Sequence, residues 1–361
     1  MTHDIESLLI GPDLTFREAM VRLNENQQGI VLVVDEARRL LDTITDGDLR
    51  RAFLSGLDLD SPVSVLADLK ATNSPFPKPT TVREAMPEHE IQALMAAEQL
   101  RHIPVVDSDN HVIDVVIARA TVLEPEPLPI SALVMAGGRG TRLRPLTDTI
   151  PKPLLPVRGK PIMEHTIQRL EAAGVRNVMV STHYMAQAFH EHFGDGSGLG
   201  VKMTYVEEKE PLGTAGALRL MEPPTGPVLV VNGDVLTEIN YRAMLAFHQD
   251  NGASLTVAVA EYEVEIPYGV VELDGVRVLG IAEKPRIKQF INAGVYLLEP
   301  EVVGLIPDSG KFDMTDLIEA LVNKGRSVVS FPISEYWIDI GQHGDYARAQ
   351  QDADPDGANG S

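Results

Sequence analysis

The residues with the clearest chemical potential lie in one glycine-rich, strongly basic segment, LVMAGGRGTRLRPLTDTIPKPLLPV at Leu133–Val157. An apolar run that predicts a β-strand ends at Ala136, and three glycines follow it: Gly137, Gly138 and Gly140. Glycine lets the backbone approach a ligand closely, and exposed N–H groups at such a turn can bind an anion. The segment contains a single acid, Asp148. Six cations lie in it or just after it: Arg139, Arg142, Arg144, Lys152, Arg158 and Lys160. Positive charge concentrated at a glycine turn predicts a polyphosphate site, and the alternative is a plain turn with solvated cations.

The composition limits the classes of partner. Hydrophobic residues make up 44% of the chain and charged residues 23%, which is typical of a globular protein. The net charge of −21 argues against nucleic acid and anionic membranes as partners, because both require a basic surface. The absence of cysteine excludes disulfides, thiolate metal sites and a cysteine nucleophile. The first residues do not resemble a signal peptide and no apolar run is long enough to span a membrane, so we expect a soluble, cytoplasmic protein.

The order of the sequence patterns predicts a repeat followed by a larger domain. A chain of 361 residues is long enough for two domains. Residues 1–123 contain two units, about 1–60 and 61–123, which share TFREAM at Thr15–Met20 and TVREAM at Thr81–Met86. In both units a β-branched run ending in VVD comes next, so we predict a tandem repeat of helices and strands.

A proline-rich segment separates this repeat from the rest. EPEPLP at Glu124–Pro129 predicts a short, stiff linker. From residue 130 to about 350, apolar strands alternate with amphipathic helices, which predicts an α/β fold with a Rossmann-like, mainly parallel, doubly wound sheet. Ligands of such folds bind at the carboxyl ends of the strands. Residues 351–361 lack apolar content and are expected to be a disordered acidic tail.

The glycine-rich segment closely resembles the signature of sugar-1-phosphate nucleotidylyltransferases. The resemblance continues, in the family's order, through six further motifs: LGTAGAL (Leu212–Leu218), VNGDV (Val231–Val235), YGVVE (Tyr268–Glu272), EKP (Glu283–Pro285), NAGVYLLEP (Asn292–Pro300) and WIDIGQHGDY (Trp337–Tyr346). It implies transfer of a nucleotidyl group from a nucleoside triphosphate to a sugar-1-phosphate, with release of pyrophosphate. Such a transfer depends on positioning and charge neutralisation more than on covalent catalysis.

The resemblance also implies roles for individual residues. Arg142 and Lys152 would be catalytic, and Asp234 and Asp339 would bind Mg²⁺, which prefers hard oxygen ligands. Other residues would contact the nucleotide: Gly137, Gly138, Gly140, Thr141, Glu208 and Gly213. A third set would bind the sugar phosphate: Gly269, Glu283, Lys284 and Asn292. Outside this context, Asp234 could be a turn residue, Lys152 an exposed lysine, and Glu283 with Lys284 a solvated pair.

The preferred base is inferred from one carboxylate. The family places a base-reading residue just before the glycine of LGTAG, which corresponds to Glu208, or to Glu207 if the alignment slips by one residue. A carboxylate only accepts hydrogen bonds, and guanine offers two adjacent donors where uracil and thymine offer one. This favours GTP. The alternative is that both glutamates end a strand and face water.

The N-terminal repeat resembles a pair of CBS domains, a regulatory module that commonly binds adenine nucleotides. Thr45 and Asp48 in TDGD match the T-x-x-D element of that family, whose hydroxyl and carboxylate contact ribose and phosphate. The second unit reads VVIARAT at the comparable place and lacks this element. The competing interpretation is that Thr45 or Asp48 caps the following helix.

Together these features predict a CBS-linked guanylyltransferase for glycan precursors, with hexosamine or heptose phosphates as examples of its sugar substrate. The chain is also expected to form a homo-oligomer. The first alternative is a thymidylyl- or uridylyltransferase acting on glucose-1-phosphate. A second is a non-catalytic nucleotide sensor that uses the transferase fold for interaction.

Overall fold

The computed structural model describes residues 5–26, 28–66, 69–70, 77–98, 100–117, 127–333 and 335–351. The chain divides into two compact units, Met1–Glu124 and Pro125–Ser361, each described below by itself. Within the described residues, every helix is too short or too polar to cross a membrane. The first part of the predicted linker, residues 124–126, and the tail from residue 352 onward lie outside the described residues.

The N-terminal unit contains two small sheets built in the same way. The first sheet consists of β1 (Leu9–Ile10), β2 (Ile30–Val34) and β3 (Leu40–Thr45), and the second of β4 (Val82–Arg83), β5 (His102–Val106) and β6 (Val112–Ile117). In each sheet the first pair of strands is parallel and the second is antiparallel. The helices are α1 (Phe16–Asn26), α2 (Asp46–Leu54) and α3 (Glu88–Glu98). The same strand order in both sheets is the structural form of the sequence repeat.

The two copies of the shared hexapeptide differ in conformation. Most of TFREAM is helical, because α1 begins at Phe16. In TVREAM, Val82 and Arg83 form strand β4, and the next helix begins only at Glu88. The two hexapeptides occupy different places in the fold: TFREAM follows β1 and begins α1, whereas TVREAM itself contains β4, which has in the second sheet the place that β1 has in the first. Pro87 lies directly before the next helix, where proline is accepted. The two hexapeptides that make the repeat visible in the sequence therefore do not occupy equivalent positions, although the two units share one strand order.

Buried residues from both repeat units form a shared core. One apolar cluster joins the two sheets and contains Leu8, Ile30, Leu32, Val34, Leu40, Val106, Val112 and Val115. Val63 and Leu66, which follow residue 60, pack in the core of the first unit. His102 of the second unit donates from Nε2 to the backbone carbonyl of Gln28 in the first, at 2.6 Å. The repeats are therefore connected through packing and through a specific hydrogen bond.

His102 predicts an acid sensitivity of this unit. Burial lowers the pKa of the imidazole from 6.5 to about 4, so the folded state keeps His102 neutral. Below pH 6.5 the unfolded chain takes up a proton that the folded chain does not, so the free energy of unfolding falls between pH 6.5 and about 4. We expect this fall in urea unfolding experiments, and His102→Gln, which keeps a donor but does not titrate, should reduce it. An equal fall in the variant would contradict the assignment.

The C-terminal unit is built on a seven-stranded sheet in the order β11-β10-β7-β12-β17-β14-β18. Its strands are β7 (Ser131–Met135), β10 (Asn177–Thr182), β11 (Lys202–Glu207), β12 (Val228–Asn232), β14 (Leu255–Glu265), β17 (Arg286–Leu298) and β18 (Val328–Ile333). β17 is antiparallel to its neighbours β12 and β14, and the other neighbouring pairs are parallel. The predicted mainly parallel α/β sheet is confirmed.

Helices cover both faces of this sheet. They are α4 (Ile162–Ala172), α5 (Ala186–Phe193), α6 (Tyr241–Asp250), α7 (Pro300–Val303), α8 (Met314–Asn323) and α9 (His343–Gln351). Along β7, Ala132 and Val134 pack into the core with α4, α5 and α6, whereas Leu133 packs into the core with α7 and α8. Because successive side chains of a strand point to opposite faces, this alternation shows a doubly wound arrangement.

Three smaller strand pairs lie outside the main sheet. They are β8 (Pro156–Val157) with β9 (Lys160–Pro161), β13 (Val235–Thr237) with β19 (Trp337–Asp339), and β15 (Val270–Asp274) with β16 (Arg277–Ala282). The β13–β19 pair and the β15–β16 hairpin carry residues that the sequence analysis assigns to the site.

Candidate active site

The glycine loop follows β7 and packs on the segment that contains Lys152. Gly140 has a φ of 60°, in the left-handed region that favours glycine. A Cβ on Gly140 would stand 3.0 Å from Lys152 Cβ and 3.0 Å from Thr147 Cγ2, and Thr147 Oγ1 donates to the Gly140 carbonyl at 2.8 Å. Gly138, Thr141 and Arg142 lie on the exposed side of this loop. The loop thus has a tightly packed inner side and an open outer side.

A second close approach brings Asp234 beside this loop. The N–H of Gly233, just after β12, donates to the carbonyl of Met135 at 2.9 Å. A Cβ on Gly233 would stand 2.7 Å from that oxygen, so a larger residue would separate the two strand ends. In the β13–β19 pair, Val235 lies opposite Asp339, and the N–H of Ile340 donates to the Asp234 carbonyl at 3.1 Å. The two aspartates predicted to bind a metal therefore come from neighbouring strands.

Lys152 connects the two aspartates. Its side chain is buried, and its Nζ lies 2.6 Å from Asp234 Oδ2 and 3.8 Å from Asp339 Oδ1. Burial raises the pKa of Asp339, and the nearby charge of Asp234 raises it further, while Lys152 and Arg142 oppose the shift. Asp234 and Asp339 thus stand close together, with Lys152 beside both and Arg142 acting on Asp339.

These carboxylates fit a magnesium ion that takes most of its ligands from elsewhere. Among the described residues, no group of three or more histidine and acidic side chains is placed to hold a metal. Mg²⁺ is usually held by one or two carboxylates, with water and substrate phosphates completing the shell. Asp234 and Asp339 are the two carboxylates here that could hold such an ion, and they lie 2.6 and 3.8 Å from Lys152 Nζ.

The proposed base-reading residue is less accessible than the sequence indicates. Glu208 is only 7% exposed, and its two carboxylate oxygens accept from the Ser181 hydroxyl and from the Leu212 N–H, the latter at 2.9 Å. The same carboxylate lies close to the loop, because a Cβ on Gly137 would stand 3.4 Å from Glu208 Oε1. Glu208 thus borders the glycine loop and also fixes the segment that follows β11, whereas Glu207 is exposed. The alternative in which both glutamates face water does not hold for Glu208.

Gly213 has a structural reason for being glycine. Its φ is 85°, and a Cβ there would stand 2.5 Å from the Phe312 carbonyl oxygen. The amides of Ala215 and Gly216 donate to this same oxygen, and the N–H of Thr214 donates to Asp313 at 3.0 Å. The LGTAG segment is therefore anchored to the residues that begin α8.

The sequence analysis missed His183. This residue follows β10, the neighbour of β7 in the sheet, and its Nδ1 donates to the Glu208 carbonyl at 2.7 Å. A Cβ on Gly137 would stand 3.4 Å from His183 Cβ. The signal was present in the sequence, since NVMVSTH reads as a parallel strand that ends in polar residues, and such ends meet at one edge of the sheet.

The predicted sugar-phosphate residues fall into two groups. Gly269 and Glu283 are neighbours at the base of the β15–β16 hairpin, where a Cβ on Gly269 would stand 3.1 Å from Glu283 Oε2. Lys284 is exposed and has a φ of 45°. Asn292 lies within β17 and donates to the Tyr296 hydroxyl at 2.7 Å. Glu283 and Lys284 thus lie at the surface, while Asn292 is tied to the sheet.

In the N-terminal unit, Thr45 and Asp48 form a capping box at the start of α2. The Thr45 N–H and hydroxyl both donate to Asp48 Oδ2, at 3.0 and 2.8 Å, and the Asp48 N–H donates to Thr45 Oγ1 at 3.3 Å. The other carboxylate oxygen accepts from Arg51 at 2.7 Å. The helix-cap interpretation is therefore realised in the structure, and a ribose would have to compete with Thr45 and Arg51 for this carboxylate.

Two family models match the chain. A sequence model of the nucleotidyl transferase family matches residues 131–355, which include the glycine loop and both aspartates. The chain belongs to this family. A second model, that of the CBS domain, matches residues 1–55 and 68–119, so a CBS pair precedes the nucleotidyl transferase region.

Curated relatives of the chain include a guanylyltransferase and a uridylyltransferase of sugar 1-phosphates. The chain is 36% identical over 231 residues to the mannose-1-phosphate guanylyltransferase of Mycobacterium tuberculosis, a match covering 62% of this chain and 64% of the relative. It is 32% identical over 241 residues to the UTP–glucose-1-phosphate uridylyltransferase of Synechocystis, covering 61% and 62%. The chain thus spans about three fifths of the length of these curated relatives.

Among solved structures, the chain resembles a Bacillus anthracis protein described as a candidate glucose-1-phosphate thymidylyltransferase. The two are 25% identical with a TM-score of 0.51, and the match covers 62% of this chain and 95% of the other.

Proposed function

We propose that this nucleotidyl transferase moves a nucleotidyl group from a nucleoside triphosphate to a sugar-1-phosphate, with GTP as the favoured donor. The observation that carries the proposal is Lys152, buried at the glycine loop with its Nζ 2.6 Å from Asp234 and 3.8 Å from Asp339. A non-catalytic sensor has no need for a buried ammonium between two carboxylates, an arrangement that costs desolvation energy. The cytoplasm is the proposed location, because it supplies the triphosphates.

The reaction requires charge control at the α-phosphorus. A phosphate oxygen of the sugar-1-phosphate attacks this atom, the bond to the β-phosphate bridging oxygen breaks, and pyrophosphate leaves with the bonding electron pair. Backbone N–H groups of the glycine loop would hold the phosphates, Lys152 would neutralise charge at the α-phosphate, and Arg142 would stabilise the leaving pyrophosphate. Asp234 and Asp339 would hold Mg²⁺, which supplies positive charge to the phosphate oxygens when bound.

The donor and acceptor are proposed from Glu208 and from the relatives. The carboxylate of Glu208 can accept further hydrogen bonds from guanine, because each of its oxygens has two lone pairs and uses one of them for a hydrogen bond within the protein. The names of several relatives specify mannose-1-phosphate and guanylyl transfer. Mannose-1-phosphate is therefore the first acceptor to test. Uridylyl or thymidylyl transfer to glucose-1-phosphate is the second candidate, favoured by the names of other relatives.

A matrix of substrates tests this choice. The full chain is incubated with Mg²⁺, each of GTP, ATP, UTP and dTTP, and each of mannose-, glucose-, hexosamine- and heptose-1-phosphate, and pyrophosphate is measured. The proposal expects the highest kcat/KM with GTP. A maximum with UTP or dTTP and glucose-1-phosphate would favour the second candidate.

Glu208→Gln should weaken the preference for GTP. The amide can still accept from Leu212 and donate to the Ser181 oxygen, so the fold should persist. Toward guanine it presents a donor where an acceptor is needed, which costs about 1–3 kcal/mol if the contact is buried. The measurement is the ratio of kcat/KM for GTP to that for UTP and dTTP, with Glu207→Gln as the matched control. An unchanged ratio in Glu208→Gln would show that Glu208 does not read the base.

For the CBS pair we propose binding of an adenine nucleotide that adjusts the transferase. A ligand changes the rate only if it binds two states of the enzyme with different affinity, so binding and rate must change together. Titration calorimetry of the full chain with AMP, ADP and ATP should show binding, and saturation should change turnover with GTP. If no adenine nucleotide binds at millimolar concentration, the regulatory proposal fails.

Asp48→Ala should abolish that binding, because the variant loses the carboxylate that would accept from the ribose. It also removes a helix cap, which costs about 1 kcal/mol of stability. Asp46→Ala is a control at the same helix start, since Asp46 pairs with Arg50 at 2.6 Å. Loss of binding in both variants would indicate a general structural effect, whereas loss in Asp48→Ala alone would support direct contact.

A further inference from the structure

His183 lies level with two residues of the candidate nucleotide site at the edge of the main sheet. β7, β10 and β11 are consecutive strands with a parallel register. Continuing that register past the strand ends places His183 opposite Gly137 on one side and opposite Glu208 on the other. A Cβ on Gly137 would stand 3.4 Å from His183 Cβ and 3.4 Å from Glu208 Oε1. The three residues therefore form one row across the ends of the strands.

This row lies on the face of the sheet that carries the LGTAG segment. Alternate residues of a strand share a face, so His183 continues the side of Met179, which packs in the core with α7 and α8. Ala215 of LGTAG belongs to the same core, and the Leu212 N–H donates to the Glu208 carboxylate at 2.9 Å. His183 is half-buried, so a molecule bound along the row would contact its side chain.

One ring nitrogen of His183 is already used within the protein. Its Nδ1 lies 2.7 Å from the Glu208 carbonyl oxygen, and because a carbonyl only accepts hydrogen bonds, Nδ1 carries the hydrogen. In the neutral imidazole the other nitrogen, Nε2, is then an acceptor. The two ring nitrogens point away from each other, so Nε2 is directed away from the Glu208 backbone. The row thus contains two side-chain acceptors, Nε2 of His183 and the carboxylate of Glu208.

Two acceptors select a ligand group that donates hydrogen bonds. The phosphates of a triphosphate act mainly as acceptors at neutral pH, so a neutral His183 does not match them. A nucleoside offers suitable donors in its ribose hydroxyls and in the amino and N–H groups of its base. In guanine the N1–H and the 2-amino group are adjacent donors, so Glu208 and His183 together can accept more of them than Glu208 alone.

We propose that His183 is a nucleoside-binding residue whose Nε2 accepts a hydrogen bond from the guanine 2-amino group or from a ribose hydroxyl of the bound triphosphate. The inference rests on the proposed function, because that proposal places a nucleotide at the glycine loop. It adds a second protein group to the recognition that was assigned to Glu208 alone. The bond from Nδ1 to the Glu208 carbonyl would fix the ring and so preorganise Nε2 for the contact.

His183→Asn separates this contact from the structural role of the ring. The asparagine amide nitrogen takes the place of Nδ1, so the bond to the Glu208 carbonyl is kept, but no atom takes the place of Nε2. The matched control is His165→Gln. His165 is another half-buried histidine of this unit, and its Nε2 donates to the Val157 carbonyl at 2.8 Å. Glutamine keeps that bond and removes the second ring nitrogen.

Steady-state kinetics with GTP, Mg²⁺ and mannose-1-phosphate provide the first readout. His183→Asn should raise the KM for GTP about tenfold, because a donor of the bound nucleoside loses its acceptor. The kcat and the KM for mannose-1-phosphate should stay within about twofold of wild type, as expected when only nucleotide binding is weakened. His165→Gln should match the wild type throughout. An unchanged KM for GTP in His183→Asn, or an equal rise in KM for both substrates, would overturn the proposal.

Analogues of GTP identify the donor. ITP lacks the 2-amino group, and 2′-deoxy-GTP and 3′-deoxy-GTP each lack one ribose hydroxyl. For the analogue without the bonded group, wild type and His183→Asn should have the same KM, whereas the other two analogues should keep the difference seen with GTP. A difference that persists with all three analogues would contradict the contact.

Calorimetry of GTP binding without a sugar phosphate separates this inference from the proposed function. A wild type that binds GTP about ten times more tightly than His183→Asn but releases no pyrophosphate would refute the transferase proposal and support the binding role. A wild type that releases pyrophosphate but has the same Kd for GTP as His183→Asn would support the transferase and overturn the binding role. Absence of GTP binding in the wild type would overturn both.

Discussion

Lys152→Ala should lower turnover by about a hundredfold or more. The ammonium is buried beside the glycine loop and is the nearest cation to both aspartates, so no exposed side chain can replace it. Its loss leaves Asp234 and Asp339 facing each other, which raises the pKa of Asp339 further because Lys152 opposes the existing shift. The expected result is a large fall in kcat for Mg²⁺-dependent pyrophosphate release, with the fold retained.

The matched control is Lys160→Ala. Lys160 is an exposed lysine of the same basic region, where its Nζ contacts Gln168 at 3.1 Å. Its replacement should leave turnover within a few fold of wild type, as is usual for exposed charges. If Lys152→Ala kept near-normal turnover, Lys152 would not be an active-site residue. An equal loss of turnover in both variants would indicate that overall charge matters rather than position.

Asp234→Asn should have an effect of similar size. The amide is nearly the same size but carries no charge, so it neither balances Lys152 nor binds a divalent cation strongly. Activity should fall by about a hundredfold or more, and the Mg²⁺ concentration for half-maximal activity should rise. Glu238→Gln is the control, because Glu238 is an acid of the same segment that pairs with Arg169 at 2.6 Å near the surface.

The two active-site changes can also be combined. Groups that act as one unit are not additive, so Lys152→Ala with Asp234→Asn should lose little more activity than either single variant. A double variant whose loss equals the product of the two single losses would show that the residues act independently. That result would contradict the role assigned to their 2.6 Å contact.

The strands and the α/β fold class were predicted well from the sequence, because the pattern of apolar residues that marks a strand is local. β7, β10 and β12 are short apolar runs bounded by turns, and buried parallel strands have that pattern. Polar residues after such strands meet at one edge of the sheet, and Asp234 and the glycine loop lie together there, although the sequence analysis assigned Asp234 to the site through the family resemblance. The same rule would have identified His183, which follows β10.

Other features depend on contacts between distant segments. The approach of Asp339 to Lys152 requires the β13–β19 pairing across about a hundred residues, and only the family resemblance anticipated it. Nothing local distinguishes the buried Glu208 from the exposed Glu207, since burial there depends on Ser181 of a neighbouring strand. The two similar hexapeptides lie at different places of the repeat, TFREAM in α1 and TVREAM at β4, and their local sequence does not show this. Residues 261–290 have the sequence pattern of ordinary strands, and the exposure of their apolar side chains is visible only in the structure.

The most direct test of the proposed nucleotidyl transfer follows a label on the α-phosphorus of the triphosphate. The full chain is incubated with Mg²⁺, mannose-1-phosphate and GTP, with ³²P at the α-position in one reaction and at the γ-position in a parallel one. Attack at the α-phosphorus predicts that the α-label moves into a GDP-sugar while the γ-label leaves as pyrophosphate, and that both fluxes collapse together in Lys152→Ala. The chain does not catalyse nucleotidyl transfer to a sugar phosphate if no pair of triphosphate and sugar phosphate in the matrix yields an α-labelled nucleotide sugar. Release of the γ-label as inorganic phosphate would lead to the same conclusion.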